Sequence, residues 1–380
     1  MHRPKILVTG ATGRTGRVLV TELLKAGYSV RALVRSDDGR AAALRARGVE
    51  IAVADMVDVE RVSAAMDGVK RAYWLPPYDP EMLTGAAVFA TAAREARLEA
   101  IVSLSQWLAS PTHPAFLTRQ HWLADRIFAT LPNIGLTLIN PGFFADSPYL
   151  ETIGMAAHLG LMPWSFGESL SAPPSVDDIA RVAAAALMDP QRHAGRTYRP
   201  TGPTLLSGSD MAAILSRVFG RTVRLVPSPL RVFLKAAYLD GHQLALLSCM
   251  EHYFEEHRRS AFAIGAPNDH VAHVTGQPPE SFETVARRLA ALPENRRSSS
   301  RTLRELARFL AVALARGPNT RRYLRGLQIV APASPQYAVE SALWRREHGI
   351  ALELIEAEAD AAHSRTPPFH PPAHPDRSFP

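Results

Sequence analysis

Three glycines spaced three residues apart, Gly10, Gly13 and Gly16, are the residues with the most definite chemistry in this sequence. They follow a short apolar run at 5–9 and precede an amphipathic segment at 17–26. Glycines permit a tight turn and let the backbone approach phosphates, while the amides and dipole at a helix start attract negative charge. The spacing therefore predicts a turn that holds the diphosphate of a dinucleotide.

The residue after the second predicted strand bears on which dinucleotide is bound. NAD-specific sites usually place Asp or Glu there, where the carboxylate bonds the ribose 2′-hydroxyl. This chain has Arg35 instead, and Arg14 inside the glycine turn is expected to point toward the same region. Because two guanidinium groups suit a 2′-phosphate, the sequence predicts NADP(H) as the cofactor. Asp37 and Asp38 would weaken this prediction if the strand ended later, and both arginines could instead be solvated.

The chain lacks a tyrosine–lysine pair for acid–base chemistry. A Tyr-x-x-x-Lys pair would use the lysine to lower the tyrosine pKa. The residues four positions before the lysines of this chain are Met1, Thr21, Met66 and Arg231. The sequence therefore excludes this pair, and any proton donor must be another group.

The elements that position these residues alternate between strand and helix. Predicted strands lie at 5–9, 29–34, 49–54, 71–75, 100–104 and 135–140. Predicted helices lie between them, at 17–26, 41–46, 58–66, 81–96 and 119–130. Later in the chain, the segment 148–161 is predicted to be helical and the segment 230–257 mostly helical. Such alternation implies right-handed βαβ units and a parallel sheet covered on both faces. The predicted fold class is α/β, a doubly wound Rossmann-type sheet with a small carboxy-terminal substrate lobe.

Four regions are predicted along the chain. Residues 1–145 form the dinucleotide-binding domain, and residues 146–295 form a small substrate-binding lobe that is interleaved with the sheet. Residues 296–364 are an arginine-rich, helical extension, and residues 365–380 are a Pro- and His-rich tail predicted to be disordered. The tail histidines lack the ordered spacing and partners of a zinc site, so no metal is expected.

Composition and charge narrow the function classes. The formal net charge is +7, but the excess arginines cluster beyond residue 295 and no nucleic-acid reader motif accompanies them, so no nucleic-acid partner is expected. No apolar run is long enough to span a membrane. The chain has one cysteine, Cys249, and no secretory signal, which favours a cytoplasmic location.

The arginine-rich extension carries one apolar stripe. It consists of four leucines at helical spacing, Leu303, Leu306, Leu310 and Leu314. The stripe suits docking on the body of the protein, docking on a second subunit in a homo-oligomer, or contact with an anionic membrane surface. The sequence leaves these alternatives open.

Six motifs together resemble one family. They begin with VTGATGRTG at 8–16, and the others are RALVR at 31–35, NPGFF at 140–144, SVDDIA at 175–180, GRTYRPTGP at 195–203 and TGQPPESF at 275–282. In this combination and order the chain resembles the NmrA-like, atypical branch of the short-chain dehydrogenase/reductase superfamily, over about residues 4 to 292. No resemblance covers residues 296–380.

The resemblance implies a Rossmann-type domain and one of two activities. One is NADPH-dependent reduction of a quinone, azo dye or other small conjugated substrate. The other is sensing of the NADP(H) pool by a protein that binds a regulatory partner. By resemblance, the phosphate-binding positions are Gly10, Thr12, Gly13, Arg14, Thr15, Gly16 and Arg35. Further cofactor positions are Asp55 and Met56 at the adenine, Leu75 and Pro76 beside the ribose, and Ser103 near the nicotinamide.

Two residues are candidate catalytic groups. His121 or Ser105 is expected to donate a proton or orient the acceptor, although His121 could also be a packed helix residue and Ser105 a strand terminator. The sequence leaves two alternatives for the aromatic residues Trp107, Phe143, Phe144 and Trp164: they line a flat pocket, or they pack in the core. By resemblance, Asp146 and Tyr149 are expected to line the pocket.

Overall fold

The computed structural model describes residues 3–348. In that range the strands are β1 (Lys5–Thr9), β2 (Val30–Val34), β3 (Glu50–Val53), β4 (Val69–Trp74), β5 (Ala100–Leu104), β6 (Gly135–Ile139), β7 (Leu161–Trp164), β8 (Thr197–Tyr198) and β9 (Arg224–Pro227). The first helices are α1 (Arg14–Lys25), α2 (Gly39–Arg45), α3 (Val59–Ala65), α4 (Met82–Glu95), α5 (Phe116–Ala129), α6 (Ile153–Leu159), α7 (Val176–Met188) and α8 (Pro190–His193). The later helices are α9 (Gly208–Phe219), α10 (Leu230–Leu239), α11 (Leu244–Arg258), α12 (His270–Thr275), α13 (Phe282–Ala290), α14 (Ser299–Leu314), α15 (Thr320–Leu327) and α16 (Ala342–Glu347).

The main sheet contains seven parallel strands in the order β3-β2-β1-β4-β5-β6-β8. The chain moves outward in one direction from β1 to β3 and then crosses back to β4 on the other side of β1. The carboxyl ends of all seven strands lie at one edge, and ligands of open α/β sheets bind where the strand order reverses. The predicted doubly wound α/β fold is confirmed, with the strands through β6 starting and ending within two residues of their predicted bounds.

Helices cover both faces of this sheet, which explains its continuous apolar strands. β2 and β5 are buried along their whole length. One face packs against α1 and α7, and the other against α3, α4 and α5. On the second face, Trp74 packs its ring 4.8 Å from the ring of Phe89 and 5.5 Å from that of Phe128. These contacts fix α4 and α5 beneath the strand ends.

A second hydrophobic core unites the two-stranded sheet β7-β9 with α6, α9, α10, α11 and α13. Two sequence predictions differ from the structure here. The segment 148–161 was predicted to be one helix, but the helix occupies only Ile153–Leu159 and β7 follows it. The predicted helical stretch from 230 to 257 is divided by a turn at Gly241, whose φ of +84° suits glycine. Two elements from this half of the chain do not belong to the second core. β8 is an edge strand of the main sheet, and α7 packs on one face of that sheet.

Residues 296–348 of the extension pack back on the body. Trp344 of α16 is almost fully buried, and its indole Nε1 donates a hydrogen bond to the carbonyl oxygen of Trp107 at 2.8 Å. The backbone amide of Ala338 donates to Glu256 Oε1, a carboxylate oxygen that also meets His113 Nε2 at 2.9 Å. This described part of the extension therefore belongs to the folded protein.

The amphipathic helix predicted in the extension is present as α14, but its leucine stripe does not dock on the body. The opposite face, where Val312 is buried, packs against α6 and α10. Leu303 and Leu314 remain 67% and 87% exposed. No helix among residues 3–348 is long and apolar enough to cross a membrane. The predicted tail at 365–380 and the end of the predicted extension lie outside the described residues.

Candidate functional site

The glycine turn between β1 and α1 is a cradle that side chains would fill. Gly10 has a φ of +61°, and a Cβ added there would lie 2.6 Å from Leu75 Cδ2. A Cβ on Gly16 would lie 2.2 Å from the carbonyl oxygen of Gly10. Gly13 caps α1 without a side-chain acceptor, and the first turn of the helix has no acidic residue. The turn therefore leaves a positive helix end open to a phosphate.

The end of β4 is held beside this turn. The backbone amide of Leu75 donates to Thr9 Oγ1 at 2.7 Å, which links the ends of β1 and β4 at the point where the strand order reverses. Pro76 follows and is buried. Within the turn, Thr12 is half-buried and Thr15 is buried. The structure thus brings the predicted phosphate and ribose positions together.

Arg35 lies directly after β2, exposed at the same sheet edge, as predicted. Its guanidinium group has no hydrogen bond or ion pair with the residues that the structure describes. Asp37 and Asp38, the two acids that would have favoured NAD(H), form hydrogen bonds or ion pairs with other residues. Asp38 caps α2 by accepting the amides of Arg40 and Ala41, and Asp37 Oδ2 lies 2.7 Å from the Arg45 guanidinium. Arg35 is therefore the available cation at this strand end.

Arg14 is paired with a carboxylate from the second half of the chain, and its predicted role at the 2′-phosphate remains a prediction. Its Nη2 lies 3.0 Å from Glu151 Oε1, and His242 Nε2 approaches the same oxygen at 3.3 Å. Burial opposes the ionisation of Glu151, but His242 and Arg14 outweigh it and lower the pKa of Glu151. The hydrogen bond that His242 donates to the Glu151 carboxylate raises the pKa of His242. We call these three residues the lobe latch, because they join the glycine turn to the second core.

The residues at the end of β3 also reach this edge. Asp55 is exposed, and its Oδ1 accepts the amide of Val57 at 3.2 Å in a local turn. Met56 is half-buried, with its Cβ against Gly85 of α4. Their predicted roles at the adenine remain predictions, since their contacts here are made within the protein.

A cavity of about 450 Å³ lies between the strand ends and the second core. The sheet edge contributes Leu75, Pro76, Leu104, Ser105 and Gln106, and the lobe latch lies in its wall. The opposite wall consists of residues that the sequence reasoning missed, Phe233, Leu246, Leu247, Met250, Tyr253 and Phe262. Such a mostly apolar space with few polar groups is typical of a small-molecule site.

The predicted aromatic pocket is partly present. Trp107, Phe143 and Phe144 line the cavity, and the ring of Phe143 stacks 4.7 Å from that of Phe262. Trp164 belongs instead to the second core, where its ring stacks 5.7 Å from that of Tyr149. The cavity therefore offers several aromatic faces to a flat molecule.

Asp146 and Tyr149 do not line the cavity, contrary to the sequence prediction. Asp146 Oδ2 accepts the amide of Val176 at the start of α7. The hydroxyl of Tyr149 lies 2.9 Å from Ser171 Oγ and 2.8 Å from His257 Nε2. Both side chains form hydrogen bonds with polar groups inside the protein, so their role here is structural.

Ser105 lies in the cavity wall with a carboxyl group behind it. Its Oγ donates to Asp125 Oδ2 at 2.5 Å, and Ser103 Oγ donates to Asp125 Oδ1 at 3.3 Å. Burial raises the pKa of Asp125 to about 7, although the two serine hydroxyls partly offset it. A carboxyl group that changes protonation near neutral pH thus stands one hydrogen bond from the cavity. Ser103 itself is 1% exposed and does not reach the cavity lining.

His121, on α5, also lines the cavity, but its environment limits its chemistry. Burial lowers its pKa to about 3, so the imidazole is neutral at physiological pH. Its Nε2 has no hydrogen-bond partner within residues 3–348. An imidazole in this state can bond a ligand but is not a cationic acid.

Tyr253 of α11 is the polar group of the opposite wall. Its hydroxyl accepts from Gln106 Nε2 and from Thr118 Oγ1, each at 3.3 Å, and burial raises its pKa well above the ordinary value. Sequence reasoning missed this residue because it stands far along the chain from the glycine turn and has no motif of its own.

Comparison with known proteins gives consistent results. The model of the NmrA-like family matches residues 2–122. An NAD(P)H azoreductase from Xenophilus azovorans is 32% identical over 295 residues, which cover 75% of this chain and 98% of the azoreductase.

Two solved structures share the fold. An NADPH-dependent quinone oxidoreductase from Escherichia coli, complexed with NADPH, aligns with a TM-score of 0.65 and 22% identity. A triphenylmethane reductase from Citrobacter sp., complexed with NADP(H), aligns with a TM-score of 0.65 and 21% identity. Each alignment covers 75% of this chain and 99% of the other. At these identities, the likeness establishes the Rossmann-type fold alone.

Proposed function

The chain belongs to the NmrA-like family, and from this premise we propose that it is an NADPH-dependent reductase of a small conjugated or quinone-type acceptor. The observation that carries the proposal is the cavity that joins the glycine turn to an aromatic, largely apolar wall. The names of the relatives support it: an NAD(P)H azoreductase, an NADPH-dependent quinone oxidoreductase and a triphenylmethane reductase.

The cofactor is NADP(H), held mainly by the backbone. The amides of Thr15 and Gly16 at the start of α1 would bind the diphosphate, since no side chain caps this helix, whereas the Gly13 amide already donates to the carbonyl oxygen of Gly10. Arg35 would hold the 2′-phosphate, because this cation at the end of β2 has no ion-pair or hydrogen-bond partner among residues 3–348. Arg14 is paired with Glu151, so its main role is to join the glycine turn to the second core, and it contributes less to binding of the 2′-phosphate.

The acceptor lies in the cavity against the aromatic rings. When bound, the nicotinamide would supply a hydride, and an electron-poor acceptor needs little acid assistance to receive it. Ser105 Oγ donates the proton that completes the reduction and recovers one from Asp125, with which it shares a hydrogen bond of 2.5 Å. His121 is neutral and bonds the acceptor without protonating it.

The test combines binding with turnover. Titration of the protein with NADPH and with NADH, followed by cofactor fluorescence, should show tighter binding of NADPH. Mixing with a panel of quinones and azo dyes should then cause NADPH consumption. Binding without consumption of NADPH by any acceptor, together with NADP(H)-dependent capture of a regulatory protein, would instead support the sensor alternative.

Substitution of Ser105 tests its role as the proton donor. Ser105→Ala should lower kcat by about 10²-fold and leave the Kd of NADPH unchanged. Ser103→Ala is the matched control, because Ser103 also bonds Asp125 but does not reach the cavity. Equal loss of kcat in both variants would refute the assignment and indicate a shared structural effect.

A further inference from the structure

Gln106 lies in the cavity wall next to Ser105, and the proposed proton transfer does not use it. Its side-chain amide contacts two buried residues. Oε1 accepts a hydrogen bond from Thr118 Oγ1 at 3.0 Å, and Nε2 donates to the hydroxyl oxygen of Tyr253 at 3.3 Å. Thr118 is fully buried and Tyr253 is 4% exposed, so the packing around them fixes both partners. We call Gln106, Thr118 and Tyr253 the amide triad.

The amide triad leaves one hydrogen-bond donor of Gln106 unused. A side-chain amide has two N–H donors, and Tyr253 takes one of them. The second N–H has no partner among residues 3–348. Because Gln106 is half-buried and lines the cavity, a molecule in the cavity can accept this hydrogen bond. The amide already has one orientation before a ligand binds, which lowers the entropic cost of binding.

Gln106 differs in this respect from the other two polar groups at the sheet edge of the cavity. The hydroxyl hydrogen of Ser105 can rotate, and this group shares its hydrogen bond with Asp125. His121 has no hydrogen-bond partner at Nε2 within the described part of the chain. Of the three, Gln106 is the group whose donor and acceptor ends are both held by neighbouring side chains. It is therefore the best placed to fix the orientation of a ligand.

We propose that Gln106 is a specificity-determining residue, whose free N–H bonds a carbonyl oxygen of the acceptor. This inference rests on the proposed function. A carbonyl oxygen loses its hydrogen bonds to water when it enters a largely apolar cavity, and the Gln106 N–H replaces one of them. A flat acceptor without such an atom would leave the N–H unpaired. A quinone has two carbonyl oxygens, one for Gln106 and one for Ser105, so the cavity favours this class of acceptor.

Equilibrium dialysis with two compounds of similar shape tests the proposal. The compounds are duroquinone and hexamethylbenzene, in which methyl groups replace both oxygens of the quinone. NADP⁺ is present, so no reduction takes place. Gln106→Met should raise the Kd of duroquinone about tenfold, because it removes the donor and keeps the length of the side chain. The same variant should not raise the Kd of hexamethylbenzene. Thr118→Val, which removes the hydroxyl that orients the amide, should raise the Kd of duroquinone about threefold.

The matched control is Gln243→Met. Gln243 also lines the cavity, but its side chain makes no hydrogen bond within residues 3–348, so this variant should leave both Kd values unchanged. Equal duroquinone affinity of Gln106→Met and the wild type, or no duroquinone binding by the wild type, would overturn the proposal. An equal loss of affinity for both compounds in Gln106→Met would also overturn it, because the role of Gln106 would then be to shape the cavity.

The dialysis is independent of turnover. Because no electrons are transferred, it decides the role of Gln106 even if the protein consumes no NADPH with any acceptor. That second result would refute the reductase function alone.

Discussion

Replacement of Asp125 by Asn should stabilise the protein at alkaline pH. Burial raises the pKa of this carboxyl group from 3.8 to about 7, so the folded protein keeps a proton that the unfolded chain releases. Below about pH 4 both states are protonated and the group has no effect on stability. Between pH 4 and 7 the folded state holds the extra proton, so the free energy of unfolding falls as pH rises.

The expected magnitude follows from the two pKa values. A single group titrating at 3.8 in the unfolded chain and at about 7 in the folded protein costs about 2 kcal/mol at pH 5 and about 4 kcal/mol at pH 8. Asp125→Asn keeps the shape and retains an acceptor for Ser105 but has no charge to bury. Its stability relative to the wild type should therefore rise by about 2 kcal/mol between pH 5 and pH 8.

Urea unfolding at both pH values measures this difference. Glu168→Gln is the matched control, since Glu168 is an exposed carboxylate and its variant should track the wild type. A stability difference between Asp125→Asn and the wild type that does not change with pH would refute the reasoning. It would mean that the pKa of the Asp125 carboxyl group is nearly the same in the folded protein and in the unfolded chain.

Four further predictions concern the cofactor site, the extension and the lobe latch. Arg35→Ser should weaken NADPH binding at least tenfold and spare NADH, whereas the exposed Arg94→Ser should change neither titration. Gly16→Ala should abolish binding of both dinucleotides in the same titration, because the new methyl group would collide with the turn. Trp344→Ala should lower the free energy of unfolding in urea by about 3 kcal/mol. Because Glu151 raises the pKa of His242, their pairing stabilises the fold fully below pH 6.5 and less above it. His242→Gln should remove that dependence from urea titrations, and an unchanged pH profile would refute it.

Local patterns predicted the dinucleotide half of the site. The strand, the glycine turn and the start of α1 are contiguous in sequence, and their conformations depend on local preferences and helix geometry. Arg35 follows one predicted strand and Leu75 is the last residue of another, so the sequence placed both at the shared edge of a parallel sheet. Such features need no knowledge of distant contacts.

Distant contacts determined what the sequence did not predict. Arg14 pairs with the carboxylate of Glu151, which lies 137 positions later in the sequence. Tyr253 reaches the cavity only because α11 folds over the strand ends. The start of β7 falls in the segment 148–161, which was predicted to be helical. The periodicity of a short apolar run does not distinguish a strand from a helix.

The sequence predicted the leucine periodicity of α14, but it left open which way the leucines face. Spacing shows that a helix has an apolar face and gives no information on whether that face meets protein, lipid or water. The contacts of Val312 on the other side decide that question.

The hydrogen bond between the Trp344 indole and the carbonyl oxygen of Trp107 has a consequence for substrate range. Trp107 lines the cavity that we propose holds the acceptor, so the width of this cavity depends on a segment for which the sequence shows no resemblance to the family. Changes in this late segment can therefore alter which acceptors fit while every cofactor contact stays the same. Selectivity for the acceptor and affinity for the dinucleotide are thus free to evolve separately.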